Sequence, residues 1–292
     1  MKQWIICNAC GADRFESLNS VGEWTIGRCG ECGLIYVNPV PFFAPTSDFS
    51  RMSREFEYTR YMHQPVTEAI GGFERAQLAF DLEEITRLKG RRPEWESHVC
   101  SLEIGCGSGA SVRAAADLGW SAIGIDIDPE LVGEGRERLG VDVRCTPLLA
   151  SGLPDGSFDF IRLRDVIEHL PDPYESLLKV RSLLAPDGIA LIVTPNEAGL
   201  VTRARLAMGR KRTLVATVAP PHHLHGFDGR TLARICGRAG LKVYSMSTTT
   251  PVDARYVTSN NMRSTGRMGV NAVWSLGARL GMGAVLVAWV GP

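Results

Sequence analysis

Residues 102–109, Leu-Glu-Ile-Gly-Cys-Gly-Ser-Gly, constrain the fold of this chain more than any other stretch. An apolar run from Val99 to Ile104 leads into three alternating glycines, Gly105, Gly107 and Gly109, and then into helix-forming residues from Ala110 to Leu118. The pattern predicts a buried strand, a tight turn, and a helix whose first amides point back into the turn. Without Cβ atoms the turn can bend sharply and a ligand can approach the main chain.

From there the pattern alternates. Strands are expected at 99–104, 121–127, 141–145, 158–163, 189–194, 241–247 and 284–290, and helices at 110–118, 129–139, 173–184 and 228–239. Pro129 suits a first helical turn, Asp228 suits an N-cap, and Pro186-Asp187-Gly188 and Gly240 are stop signals. Such alternation implies an α/β fold: a doubly wound, seven-stranded, mostly parallel sheet covered on both faces. The pattern loosens after Pro195, and 250–282 reads as a polar segment followed by a helix.

Ahead of this domain, Cys7-x2-Cys10 and Cys29-x2-Cys32 form two knuckles, each followed by glycine. Two such turns bring four thiolates to one tetrahedron, the ligand set of a zinc ribbon-like module at 1–37. Four protein ligands leave no open position, so the zinc is expected to be structural and to supply much of the folding energy of so short a segment. Residues 38–96 follow as linker and helical cap. Within them the proline-rich stretch 38–50 is extended, and Arg51 to Lys89 is helical with a break at Gln64-Pro65 and a Gly71-Gly72 pair. Two readings stay open for this cap: helices covering the core, or a lid in which Tyr58, Tyr61, Met62 and His63 close over a site.

Lysine plus arginine equals aspartate plus glutamate, 32 each, so no global field favours nucleic acid. The N-terminus lacks the apolar core of a signal peptide, and eight cysteines without one point to metal or free thiols; a cytoplasmic protein is expected. The apolar run 270–290 carries Arg279, Gly277, Gly281 and Gly283, which suits a helix, a break and a buried strand and not a membrane span. Oligomeric state is left open.

In an open α/β sheet the ligand sits beyond the carboxyl ends of the strands. Asp126 ends the second strand, 17 residues past Gly109, where a carboxylate can accept ribose hydroxyls. Glu103 sits just ahead of the glycine turn. The third glycine comes one residue too early for a dinucleotide fingerprint, and the lysine of a phosphate loop is absent. With acids at 103 and 126 the site suits a nucleoside that lacks phosphates and carries a positive centre.

Glu103-x-Gly105-x-Gly107-x-Gly109, Asp126, Phe158-Asp159-Phe160-Ile161, Val166-Ile167-Glu168-His169-Leu170 and Leu183-Leu184-Ala185-Pro186-Asp187-Gly188 resemble the ordered motifs of class I S-adenosylmethionine-dependent methyltransferases. The likeness covers about 97–292. With its four-cysteine module, the chain is similar to bacterial methyltransferases of sugars and natural products. The resemblance implies that Glu103, Gly105, Cys106, Gly107 and Gly109 line the methionine part of S-adenosylmethionine. Asp126 would then hold the ribose, Ile127, Leu148 and Leu149 would meet adenine, and Arg164 and Asp165 would border the reacting methyl.

Methyl transfer needs alignment and, where a proton leaves, a base. His169, beside the expected methyl position, and His222 and His223, in the loop Pro220-Pro221-His222-His223-Leu224-His225, are the catalytic candidates; His169 also suits a structural hydrogen bond. Adjacent histidines on one loop are poor metal-ligand spacing. Arg203, Arg205, Arg210, Lys211 and Arg212 form either a solvated face or an anionic-acceptor patch. The expected partner is a small-molecule or glycan acceptor, with no nucleic acid. Two other functions remain: a non-catalytic cofactor- or partner-binding module docking through its zinc knuckle, and a nicotinamide oxidoreductase, which the early glycine disfavours.

Overall fold

The structure, a computed structural model, describes residues 2–41, 68–90, 98–207, 218–250 and 275–292. A seven-stranded sheet is built from β6 (Cys100–Ile104), β7 (Ser121–Asp126), β8 (Val143–Cys145), β9 (Phe158–Arg164), β10 (Leu184–Pro195), β12 (Lys242–Thr249) and β13 (Val285–Gly291). Its order is β12-β13-β10-β9-β6-β7-β8. Strands β8, β7, β6, β9 and β10 run parallel, and β13 is antiparallel to both β10 and β12. Strand order reverses between β6 and β9, which opens the crevice at their carboxyl ends where open sheets bind ligands.

Helices include α1 (Glu68–Lys89), α2 (Ala110–Asp117), α3 (Pro129–Leu139), α4 (Pro173–Leu183), α5 (Leu200–Ala207) and α6 (Gly229–Arg238), and residues 275–279 are also helical. Strand residues alternate between two cores. On β10, Ala190 and Ile192 pack with Leu177 and Val180 of α4 and Leu232 and Ile235 of α6. Ile189, Leu191 and Val193 face the opposite way, toward Leu78 and Ile85 of α1 and Ala114 and Ala115 of α2. Each such Leu or Ile contributes about 1.5–3 kcal/mol on burial. Helix starts are fixed locally: Asp128 accepts from the amides of Glu130 (3.0 Å) and Leu131 (3.3 Å), and Asp228 with Thr231 closes a capping box.

The N-terminal segment forms β1 (Lys2–Gln3), β2 (Phe15–Val21), β3 (Trp24–Cys29), β4 (Ile35–Val37) and β5 (Val40–Pro41). Strands β2, β3 and β4 are antiparallel, and β11 (His225–Gly226) adds a fourth strand beside β4. The module therefore does not stand alone. Its Cys7, Ala9, Leu34 and Tyr36 belong to the same buried cluster as Leu102, Ile104 and Phe227.

One local expectation is corrected, and two stretches with weak local signals prove regular. Strand β10 begins at Leu184 and runs through Pro186-Asp187-Gly188, with a register shift between Leu184 and Ile189 that absorbs the stop signal. Helix α1 continues through Gly71-Gly72, since packing of Leu78 and Ile85 outweighs about 1 kcal/mol of helix propensity per glycine. The loosely patterned stretch after Pro195 contains α5. The lid residues Tyr58, Tyr61, Met62 and His63, the break at Gln64-Pro65, and Arg210, Lys211 and Arg212 lie outside the described residues, as does most of 250–282. Among the described residues no helix is long and apolar enough to cross a membrane.

Candidate active site

The turn after β6 is held from β7. The amides of Gly105 and Cys106 donate to the Ile125 carbonyl at 2.8 and 3.1 Å, and Gly107 N donates to Asp126 Oδ2 at 2.8 Å. Gly105 adopts φ +72°, and a Cβ there would collide with Val166 Cγ2 at the end of β9. The glycine thus lets the β9 end close onto the turn. Gly107 and Gly109 also lie at positive φ, and Gly109 caps α2 with no side-chain partner for the first helical amides.

Asp126 Oδ1 accepts the amide of Asp128 at 2.9 Å. Each carboxylate oxygen so accepts one backbone amide and keeps one acceptor direction, the pair a vicinal diol needs. Burial raises the Asp126 carboxyl, and the backbone amides of Asp128, Gly107 and Ile127 oppose this. Ile127 is half-buried beside it; in the 3-10 turn Leu148–Ala150, Leu148 is buried and Leu149 is 56% exposed. Cys106 is buried against Val112, Val132 and Val143.

Glu103 faces away from open solvent, into a buried charge cluster beneath α1. Arg162 of β9 meets Asp81 Oδ2 and Glu103 Oε2 at 3.3 Å each and Glu74 Oε2 at 3.7 Å; Arg164 meets the same Glu74 oxygen at 3.6 Å. The strand period explains the grouping, because Glu103 and Arg162 occupy the alternate positions turned to the α1 face. Three carboxylates face two guanidinium groups. Burial lifts Asp81 to about 6 and Glu103 to about 7, against the pull of Arg162.

At the end of β9 the chain turns sharply. Asp165 has φ 52°, the non-glycine residue at positive φ among the described residues, and its amide donates to Val193 O at 2.9 Å. The 3-10 turn Ile167–His169 follows. Glu168 is buried; its Oε2 accepts from Thr194 Oγ1 at 2.9 Å, and its Oε1 has no hydrogen-bond partner. His169 Nδ1 lies 2.9 Å from the His222 carbonyl oxygen, and its Nε2 lies 3.9 Å from Glu168 Oε1. The His223 ring packs edge-on to His169, centroids 4.6 Å apart. Burial first, then His223, holds His169 down at about 3, so the ring is a weak proton acceptor where it stands. The three catalytic candidates are therefore brought together. Glu168 and Thr194, not assigned roles from the sequence, join them. A glutamate in an otherwise apolar Val-Ile-Glu-His-Leu run was the available signal.

The four N-terminal cysteines also converge. Cys7 Sγ lies 3.5 Å from Cys32 Sγ, and Cys10 Sγ lies 3.6 Å from Cys29 Sγ. A tetrahedron with Zn–S bonds of about 2.3 Å has edges of about 3.8 Å, so the donor set fits zinc. Each knuckle closes by an amide of its glycine donating to the first cysteine carbonyl, Gly11 to Cys7 at 2.7 Å and Gly33 to Cys29 at 3.0 Å.

A methyltransferase-domain family matches residues 73–246. An S-adenosylmethionine-dependent methyltransferase of Mycolicibacterium smegmatis is 32% identical over 152 residues, 50% of this chain and 55% of that protein. A ubiquinone biosynthesis O-methyltransferase of Xanthomonas campestris is 37% identical over 103 residues, 33% of this chain and 43% of that one. The chain thus spans about half the length of the curated relatives it matches. Among solved structures, a chain from the complex of the Haloferax volcanii Trm112 methyltransferase activator with a methyltransferase superposes with a TM-score of 0.50. It shares 15% identity and covers 78% of this chain and 99% of that one, a likeness of fold alone.

Proposed function

The chain belongs to the methyltransferase-domain family, and on that premise we propose that it transfers a methyl group from S-adenosylmethionine to a small-molecule acceptor of the sugar, nucleotide-sugar or natural-product class. The observation that carries this is the bond from Gly107 N to Asp126 Oδ2, which shapes a nucleoside cradle at the point where strand order reverses.

In this reading Gly105, Cys106, Gly107 and Gly109 line the methionine part, with Glu103 behind them. Asp126 accepts the ribose hydroxyls, and Ile127, Leu148 and Leu149 contact adenine. When bound, the cofactor supplies an electrophilic methyl group on a sulfonium. The chain's part is to hold it, to exclude water and to align the acceptor. Arg164 and Asp165, at the end of β9, border the reacting centre, and His169, His222 and His223 form its polar wall. The name of the Xanthomonas relative favours oxygen as the atom methylated. The four-cysteine centre holds zinc with no open position and serves structure.

Turnover of methyl-labelled cofactor with a panel of sugar and phenolic acceptors tests the proposal. Release of S-adenosylhomocysteine that depends on one acceptor class supports it. Binding of S-adenosylmethionine without transfer to any acceptor would instead mark a binding module.

A further inference from the structure

Glu168 poses a problem that the methyltransferase reading leaves unsolved. Its side chain is 2% exposed, its Oε2 is engaged by Thr194, and its Oε1 has no hydrogen-bond partner. A buried carboxylate oxygen left in this state is costly. Across from it lies His169 Nε2, at 3.9 Å. That is too long for a hydrogen bond.

The orientation of His169 sharpens the point. The His222 carbonyl can only accept, so His169 Nδ1 carries the hydrogen of their 2.9 Å bond. In the uncharged imidazole the lone pair then sits on Nε2, facing Glu168 Oε1. A cation placed between the two atoms would ligate both, taking the place of the proton that burial and then Asp165 favour on the Glu168 carboxyl. A backbone carbonyl on the far ring nitrogen is also the usual orienting partner of a metal-bound histidine.

His223 supplies a third donor. One ligand atom from each of Glu168, His169 and His223 lies within 4.8 Å of the others. The loop that carries His223 is fixed in place: the amides of His222 and His223 donate to Ala219 O at 3.0 Å, and Leu224 N donates to Glu168 O at 2.8 Å. The adjacent Glu168 and His169 and the distant His223 thus form one donor set with its backbone already ordered.

We propose that Glu168, His169 and His223 form a divalent-cation site that binds an oxygen of the acceptor. Two imidazoles and one carboxylate select a first-row transition ion over calcium or magnesium. Three protein ligands leave positions open, as in catalytic and not structural sites. The role in transfer rests on the methyltransferase reading; the binding of a cation does not. The cation lowers the pKa of the bound hydroxyl, whose proton passes to water. The oxygen's electron pair then forms the bond to the methyl carbon, the carbon–sulfur bond breaks, and its pair remains on sulfur.

The experiment titrates the full chain, its four-cysteine centre loaded with zinc, with Mn²⁺, an ion that thiolate sites bind poorly. Free Mn²⁺ is read by electron paramagnetic resonance, and S-adenosylmethionine binding is measured on the same samples by calorimetry. The expected result is one Mn²⁺ site per chain, weakened roughly 100-fold in Glu168→Gln and in His223→Ala, and kept in His222→Ala, which retains the carbonyl that orients His169. Should Glu168→Gln fail to fold, His223→Ala carries the comparison, because its side chain lies on a loop. Absence of a site in the parent chain, or equal binding by both ligand variants, overturns the proposal. If S-adenosylmethionine binds normally in that case, the methyltransferase reading survives it.

Discussion

The amide of Gly107 donates to Asp126 Oδ2 across 2.8 Å, and this bond ties the turn after β6 to the end of β7. The other oxygen of the same carboxylate holds the Asp128 amide, so one side chain sets both the glycine turn and the approach to α3. Asp126→Ala removes these acceptors together with the free lone pairs left for a ligand. The expected loss is about 1.5–3 kcal/mol, or roughly 10- to 100-fold in S-adenosylmethionine affinity by calorimetry. Affinity equal to the parent chain would remove Asp126 from the site.

Arg162 is 2% exposed and stands among Asp81, Glu103 and Glu74. Replacing it with methionine keeps the volume and strands three buried carboxylates. Breaking a buried pair from one side costs about 3–5 kcal/mol. Arg162→Met should lower the urea midpoint accordingly, whereas the exposed substitution Arg14→Met, which breaks surface pairs with Glu31 and Glu16, should move the stability by less than about 1 kcal/mol. Similar midpoints in the two variants would show that the cluster does not anchor α1.

The same cluster sets a pH dependence. Glu103 is lifted by burial from 4.5 to about 7, with Glu74 and Asp81 reinforcing the rise and Arg162 and Arg164 opposing it. A carboxyl with a raised folded-state pKa contributes stability that is full below its unfolded value and is lost as pH rises through the folded one. Stability should therefore fall between about pH 4.5 and 7, at a limiting slope of about 1.4 kcal/mol per pH unit. Asp81, held at about 6, adds to the lower part of that range. Glu103→Gln should flatten the curve from pH 6 to 7 and keep some slope below it, measured by denaturation at each pH. An unchanged slope from 6 to 7 would assign the titration elsewhere.

The strands and the glycine turn were legible because their signals are local: β-branched runs, alternate glycines, and Asp126 at a fixed distance from Gly109. The seven-stranded sheet follows from that pattern, and the Cys-x2-Cys pairs announced their own convergence. What escaped depends on contacts distant in sequence. Arg162 reads as an odd residue in an apolar strand until α1 places Glu74 and Asp81 over it. Glu168 was visible within a motif, yet its role depends on Thr194 and on a loop 53 residues beyond His169. Strand β11 is too short for any periodic signal, and it exists because β4 offers it an edge.

That edge gives the last prediction. Val37 N donates to Leu224 O at 2.9 Å, and β11 pairs His225 with Tyr36 and Gly226 with Ile35. Arg238 of α6 lies over the Tyr174 ring, 3.7 Å to its centre, and donates to Asn8 O in the first knuckle at 2.7 Å. The four-cysteine module is therefore the outer wall of the loop that carries His222 and His223. On the proposed zinc reading, the metal draws the two knuckles together while Cys7, Ala9, Leu34 and Tyr36 keep the module packed on the main core. Removing zinc with a strong chelator, or by Cys10→Ser, should free the amide of Gly226, which pairs with Ile35 at the β4 edge, to exchange with solvent, while the Leu224 amide stays held by the Glu168 carbonyl. Methyl transfer should fall at least about tenfold, since a displaced polar wall misplaces the acceptor. The glycine turn and Asp126 are held by β6 and β7, so S-adenosylmethionine affinity should change by less than about threefold, a difference under about 1 kcal/mol. Hydrogen exchange and calorimetry on the same metal-free sample separate these effects. Unaltered exchange at Gly226 after zinc loss would mean that the module and the histidine loop are independent.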